Sequence, residues 1–231
     1  MQRKQFLRRL GALAGSAAIG PLIAACGGGD AAGPASSSAS ASVPAAPTAP
    51  AGTQPTSDPL SPDEIAGLRF MREEEKLAHD VYVAMDALWG HRSFANIALS
   101  ETTHTQAILA LITKYAVDDP AAGKPAGVFE DPQLQALYDT MVAAGAASLV
   151  EALKVGALIE ETDIRDIEVR MAATDAADIL QVYDSLLCGS RNHLRAFNSA
   201  LLGQGVTYVA QVISQQQWDA IAYSAHVSCG S

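Results

Sequence analysis

Four stretches of this 231-residue sequence carry apolar side chains at repeating steps of three and four, and that pattern constrains the fold more than any other feature. Steps of three and four put side chains on one stripe of an α-helix, which must then be buried against another element. The first stretch starts at Ser61-Pro62-Asp63-Glu64, where Ser61 suits an N-cap, Pro62 the first helical position and Glu64 the return arm of a capping box. It runs to about Trp89 and stops at Gly90. Further helices are expected at about Ser93–Tyr115, Ser148–Ala173 and Ala176–Leu202. Between the second and third long helices, Pro120, Gly123, Pro125 and Gly127 mark a loop, followed by a shorter helix at about Pro132–Ala144. One more short helix is expected near Ser214–Ser224. No segment sustains the period-two alternation of a strand. The expected fold is all-α, a four-helix bundle with a long crossover that contains the short extra helix.

The residues before this domain differ in kind. Met1–Cys26 holds four basic residues and no acid, while the rest of the chain holds 11 basic and 25 acidic residues. A basic start, an apolar run from Leu10 to Ala25 and small residues at the junction read as a secretory signal. The run is shorter than the ~20 residues of a membrane-spanning helix. Ile23-Ala24-Ala25-Cys26 resembles a lipobox, which would make Cys26 the acylated first residue of the mature chain and the membrane its partner. Arg3-Lys4-Gln5-Phe6-Leu7-Arg8 resembles a twin-arginine signal with lysine in the second slot, so a Tat or a Sec route stays open. Gly27 to Leu60 is 29 parts in 34 Ala, Pro, Ser, Gly or Thr, a disordered tether by composition. As a flexible coil it would span roughly 30–35 Å. Gly28 rather than Asp follows two places after Cys26, which favours the outer over the inner membrane. The expected location is therefore the cell envelope, lipid-anchored on the periplasmic side. A formal charge of −10 argues against nucleic acid as a partner.

The chemistry lies in what interrupts the stripes. On the second helix the series Phe94, Ile97, Glu101, His104, Ile108, Leu111, Tyr115 has two ionisable members. Glu75 interrupts Met71, Ala78, Tyr82, Met85, Trp89 on the first helix. Glu160 interrupts Leu153, Ala157, Ile164, Ile167, Met171 on the third, and His193 interrupts Val182, Leu186, Ser190, Phe197, Ala200 on the fourth. Several buried carboxylates must be neutralised by protons, partners or cations. Lys76, Arg165 and Arg191 fall on outer faces, so divalent cations are the economical solution.

These residues carry a resemblance. Ferritin-like di-iron proteins place a Glu on each of two helices and a Glu-x-x-His pair on each of the other two; Glu101-Thr102-Thr103-His104 supplies one such pair. Glu75, with Ala78 and Tyr82 following, is similar to the first iron-binding helix of rubrerythrins, Glu160 with Asp163 to their paired acids, and His193 with Phe197 to their fourth-helix histidine. The stretch 64–203 resembles a bacterial ferritin-like family of unknown function. Its resembling segments are Glu73–Ala78, Glu101–His104, Gly156–Ile164 and Gly189–Leu194. The resemblance implies a di-iron centre, with manganese or zinc as alternatives, held by Glu75, Glu101, His104, Glu160, Asp163 and His193. Ser190 stands where the family pattern wants a fourth-helix Glu; Asp163 or Glu161 is the candidate replacement.

Alternatives remain open at each position. Glu101 and His104 could be a plain buried ion pair, Glu75 part of a surface run, the acids of 160–166 a solvated face, and Tyr82 an electron relay or a packing residue. Cys188 and Cys229 either pair, as leftover cysteines do in an oxidising compartment, or stay free thiols. Three readings follow: an exported di-iron oxidoreductase acting on peroxide or dioxygen with an unidentified electron donor, a non-catalytic metal-binding or envelope interaction module, or a purely structural bundle that keeps its acids protonated or paired and binds nothing. No catalytic residue is assigned, and a homodimer is compatible with each.

Overall fold

The computed structural model describes residues 59–229, and these contain helices and no strand. The leader, Cys26 and all but the last two residues of the tether lie outside the described residues. Six helices follow in order: α1 (Pro62–Trp89), α2 (Arg92–Lys114), α3 (Pro132–Gly145), α4 (Leu149–Met171), α5 (Ala177–Gly203) and α6 (Gln215–Ala222). The boundaries fall within a residue or two of those expected because local chemistry sets them. Ser61 accepts from the Glu64 N–H while the Glu64 carboxylate accepts from the Ser61 N–H, closing the capping box. Gly90 ends α1 in the left-handed conformation, φ 58°, where an L side chain would be strained. The two-residue link Gly90–His91 then turns the chain back, and the His91 ring caps α2.

The four long helices form an all-α bundle. α1 packs on α2 and α4, and α5 on α4 and α2, while α3 lies over α1 and α4. Leu68, Met71, Val81, Met85, Phe94, Ile108, Leu153, Ile164, Ile167, Leu194 and Phe197 are fully buried between them. Each such side chain contributes roughly 1.5–3 kcal/mol of transfer free energy. Tyr82, Phe94 and Phe197 meet in an aromatic cluster, with ring centroids 5.3–6.3 Å apart.

Carboxylates of α1 pin the crossover. Glu73 accepts from the backbone N–H groups of Glu130 and Asp131. Asp80 accepts from the Gly127 N–H at 2.8 Å and pairs with Lys76 and His79. Arg72 pairs with Asp119 at 3.1 Å. At the other end of the chain, Tyr208 stacks on the fully buried Trp218. The segment after α6 is held to α5 by the Asn192 side chain, which donates to the Val227 carbonyl and accepts from its N–H, and by a disulfide between Cys188 and Cys229. No helix among the described residues is long and apolar enough to cross a membrane.

Candidate metal centre

Glu75, Glu101, Glu160 and His104 lie near the middle of α1, α2 and α4, and His193 lies past the middle of α5. The bundle therefore brings them to one level. All five are buried, and they converge as two groups that share one member. Glu75, Glu101 and His104 form the first; Glu101, Glu160 and His193 form the second; ligand atoms within each lie within 4.8 Å of one another.

Glu101 is the shared group. Its Oε2 lies 2.8 Å from His104 Nδ1 and its Oε1 lies 2.9 Å from His193 Nδ1. Each imidazole then faces a second carboxylate: Glu75 Oε2 at 3.3 Å from His104 Nδ1, and Glu160 Oε2 at 3.5 Å from His193 Nδ1. The two rings stack with centroids 5.5 Å apart. His193 Nε2 contacts Ser100 Oγ at 2.9 Å, and the Tyr82 hydroxyl donates to Glu160 Oε1 at 2.5 Å.

Electrostatics follow from burial working against proximity. Burial alone would raise the Glu101 carboxyl, but the His193 and His104 imidazoles outweigh it and hold Glu101 far below the ordinary carboxylate range. Burial would lower the imidazoles, but Glu101 overrides it, pushing His193 up to about 10 and His104 well up. Burial pushes Glu75 up to about 7, against the opposing pull of His104, and raises Glu160 against the pull of His193. Glu101 and the two imidazoles thus favour one another's charged forms.

A cation fits the same place. Three buried polar atoms here have no hydrogen-bond partner: Glu75 Oε1, His193 Nδ1 and Asp163 Oδ1. His193 Nδ1 is close to Glu101 yet not aligned as a hydrogen bond, the relation expected of two atoms aimed at a common third. Donor atoms about 2.1 Å from one ion and at right angles to each other sit about 3 Å apart. The spacings of 2.8–3.5 Å around both imidazoles match this. Mixed oxygen and imidazole donors suit iron, manganese or zinc.

Asp163 and Glu161 behave differently. Asp163 is buried beside the cluster, and its Oδ2 is in short contact with Ser190 Oγ, while Ser190 also contacts the Leu186 carbonyl at 2.8 Å. One hydroxyl hydrogen cannot serve both acceptors fully. A protonated Asp163 satisfies both, and burial with Glu75, Glu160 and Glu101 nearby does push its carboxyl well up. Asp163 stands beside the two groups rather than within them, engaged by Ser190 through one oxygen while its Oδ1 has no partner. Glu161 is turned away altogether, accepting from the backbone N–H groups of Gln211, Val212 and Ile213 at 2.8–3.1 Å. Both acidic runs are largely interior: Glu73, Glu74, Glu75, Glu160, Glu161 and Asp163 are all buried.

Several contributors are not marked on the stripes. Ser100 sets the outer nitrogen of His193, and an exposed-looking helix position gave no signal for it. Glu74 is buried next to Glu75 and pushed well up by burial and by the neighbouring carboxylates of Asp166, Asp163 and Glu75. His79 pairs with Asp80, and His91 caps a helix. A cleft of about 910 Å³ runs between α2 and α5, lined by Thr103 and Ala107 on one wall and Ser185 and Cys188 on the other.

Comparison with known proteins finds similarity to uncharacterized proteins. The profile of the uncharacterized protein domain DUF2202 matches residues 64–225. The uncharacterized protein MJ0754 of Methanocaldococcus jannaschii is 46% identical over 167 residues, which cover 72% of this chain and 90% of that protein. The crystal structure of hypothetical protein MJ0754 from Methanococcus jannaschii aligns with a TM-score of 0.73 and 43% identity, covering 76% of this chain and 100% of that one.

Proposed function

The chain belongs to the uncharacterized DUF2202 family, and we propose that its helical domain is a ferritin-like protein holding a pair of metal ions, iron by preference, that reduces peroxide or dioxygen. One observation carries the reading: a single buried carboxylate, Glu101, stands between two imidazoles, each of which faces a further carboxylate of its own. Glu75 and His104 would hold one ion, Glu160 and His193 the other, with Glu101 common to both and Asp163 in reserve. Iron held by these residues would supply one-electron redox chemistry. The protein's own share is orientation. Ser100 fixes the His193 ring through Nε2, leaving Nδ1 for the ion. Tyr82 holds one Glu160 oxygen and leaves the other free, and burial keeps its hydroxyl protonated. The rings of Phe94 and Phe197 pack against Tyr82 and keep that side dry.

Anaerobic titration of metal-free protein with iron(II) tests the reading. Two equivalents should bind in wild type and none in Glu101→Ala. Peroxide consumption with a chemical reductant then tests turnover. A second reading, metal binding without turnover, is favoured by one observation: Asp163 is engaged by Ser190, so the two groups offer three carboxylates in all. Stoichiometric binding with no peroxide consumption would select it. We further propose that Cys26 is acylated and anchors the chain in the envelope, which mass spectrometry of the N-terminal peptide from a membrane fraction would test.

A further inference from the structure

We propose that Gly189 is a positioning residue for the metal centre: its missing side chain is the slot that seats the His104 ring with Nδ1 facing Glu75 and Glu101. The inference rests on reading the cluster as a cation site and concerns one half of it. Gly189 lies inside α5, far from either end, where glycine is the less stable choice and its φ is not unusual. Nothing about the backbone asks for glycine there. The surroundings do. A Cβ built on Gly189 would fall 2.5 Å from His104 Nε2 and 2.7 Å from His104 Cε1, closer than a Cβ atom comes to any non-bonded neighbour.

The ring has nowhere to retreat. On its far edge Nδ1 meets Glu101 at 2.8 Å and Glu75 at 3.3 Å, and His193 stacks on its face at 5.5 Å. A methyl group at 189 therefore pushes the imidazole into the carboxylates or tips Nδ1 out of line with them. The other half of the centre has no such dependence. His193 is set by Ser100, and among the described residues no glycine lies against its ring. The same turn of α5 carries Ser190, which holds Asp163. One turn of helix thus makes room for His104 with one residue and restrains Asp163 with the next. The chain seats one imidazole by a hydrogen bond and the other by an empty space.

The test is Gly189→Ala, read in two ways. In anaerobic iron(II) titration, wild type should take two equivalents and Gly189→Ala one, since the Glu160–His193 half is untouched. Gly145→Ala is the control. A Cβ there would meet the Met85 sulfur at 2.3 Å, so it overpacks the core away from the centre and should keep two equivalents. In metal-free protein, Gly189→Ala should lower the melting temperature, but in a His104→Ala background the same change should leave it level or raise it. If Gly189→Ala fails to fold while the double variant folds, the clearance argument stands. Two equivalents bound by Gly189→Ala with wild-type affinity would overturn the proposal. So would an equal melting loss with and without the ring, or a double variant that fails to fold. If wild type itself takes up no metal, the proposed function fails. The melting comparison still decides whether Gly189 seats the ring.

Discussion

At the scale of single residues, Glu101 matters most, because removing it leaves two imidazoles side by side without the anion that charges them. Loss of one member of a buried ionic group typically costs about 3–5 kcal/mol. Glu101→Ala should cost metal-free protein about 3 kcal/mol, read from urea denaturation, as well as abolishing metal uptake. Tyr82→Phe is a finer probe. It keeps the aromatic packing against Phe94 and Phe197 and deletes only the donor to Glu160, so the expected loss is about 1–2 kcal/mol. The inward Glu and His positions were legible in the sequence because a three-and-four spacing converts position into direction, and Glu101 with His104 sit on one stripe. The partners were not legible. Ser100, Gly189 and the Tyr82–Glu160 pair depend on how helices abut, which no spacing within one helix encodes.

At the scale of elements, helix ends were readable where a cap or a glycine acts locally, as at Ser61 and Gly90. The uses of Glu73, Glu161 and Asp80 were not, since their donors are backbone N–H groups 47 to 58 residues away. Asp80 gives a pH test of this crossover anchoring. Burial would raise its carboxyl, but His79, Lys76 and the Gly127 N–H together hold it below the ordinary value. A folded value below the unfolded value of about 3.9 stabilises the protein above about pH 4, and that stabilisation is lost as pH falls through the folded value. The stability gap between wild type and Asp80→Asn should stay level from neutral pH down to about pH 5 and close below about pH 4. The Cys188–Cys229 bond closes a loop with a sequence separation of 41. The chain-entropy relation allows it up to about 4 kcal/mol. Cys229→Ser should therefore lower the urea midpoint in non-reducing buffer and lose that difference when wild type is reduced.

At the scale of the whole molecule, the proposed metal centre would link ion binding to the stability of the fold. An ion that binds only the native state at a hundred times its dissociation constant adds about 2.7 kcal/mol. For a domain of this size 1 kcal/mol moves the melting temperature by about 2–4 °C, so two ions should raise it by about 10–20 °C. Differential scanning with manganese(II), and again after EDTA, checks both the rise and its reversal. The acidic balance of the chain also has a consequence for anyone who edits it. Glu73, Glu74 and Glu75 spell out what a composition plot would mark as expendable anionic coating, yet successive 100° steps send them to the crossover, to a buried site beside other carboxylates and to the candidate metal centre. Replacing that triplet to reduce the charge would disturb three buried positions at once, whereas the same edit at solvent-facing Asp184 would pass unnoticed by the fold.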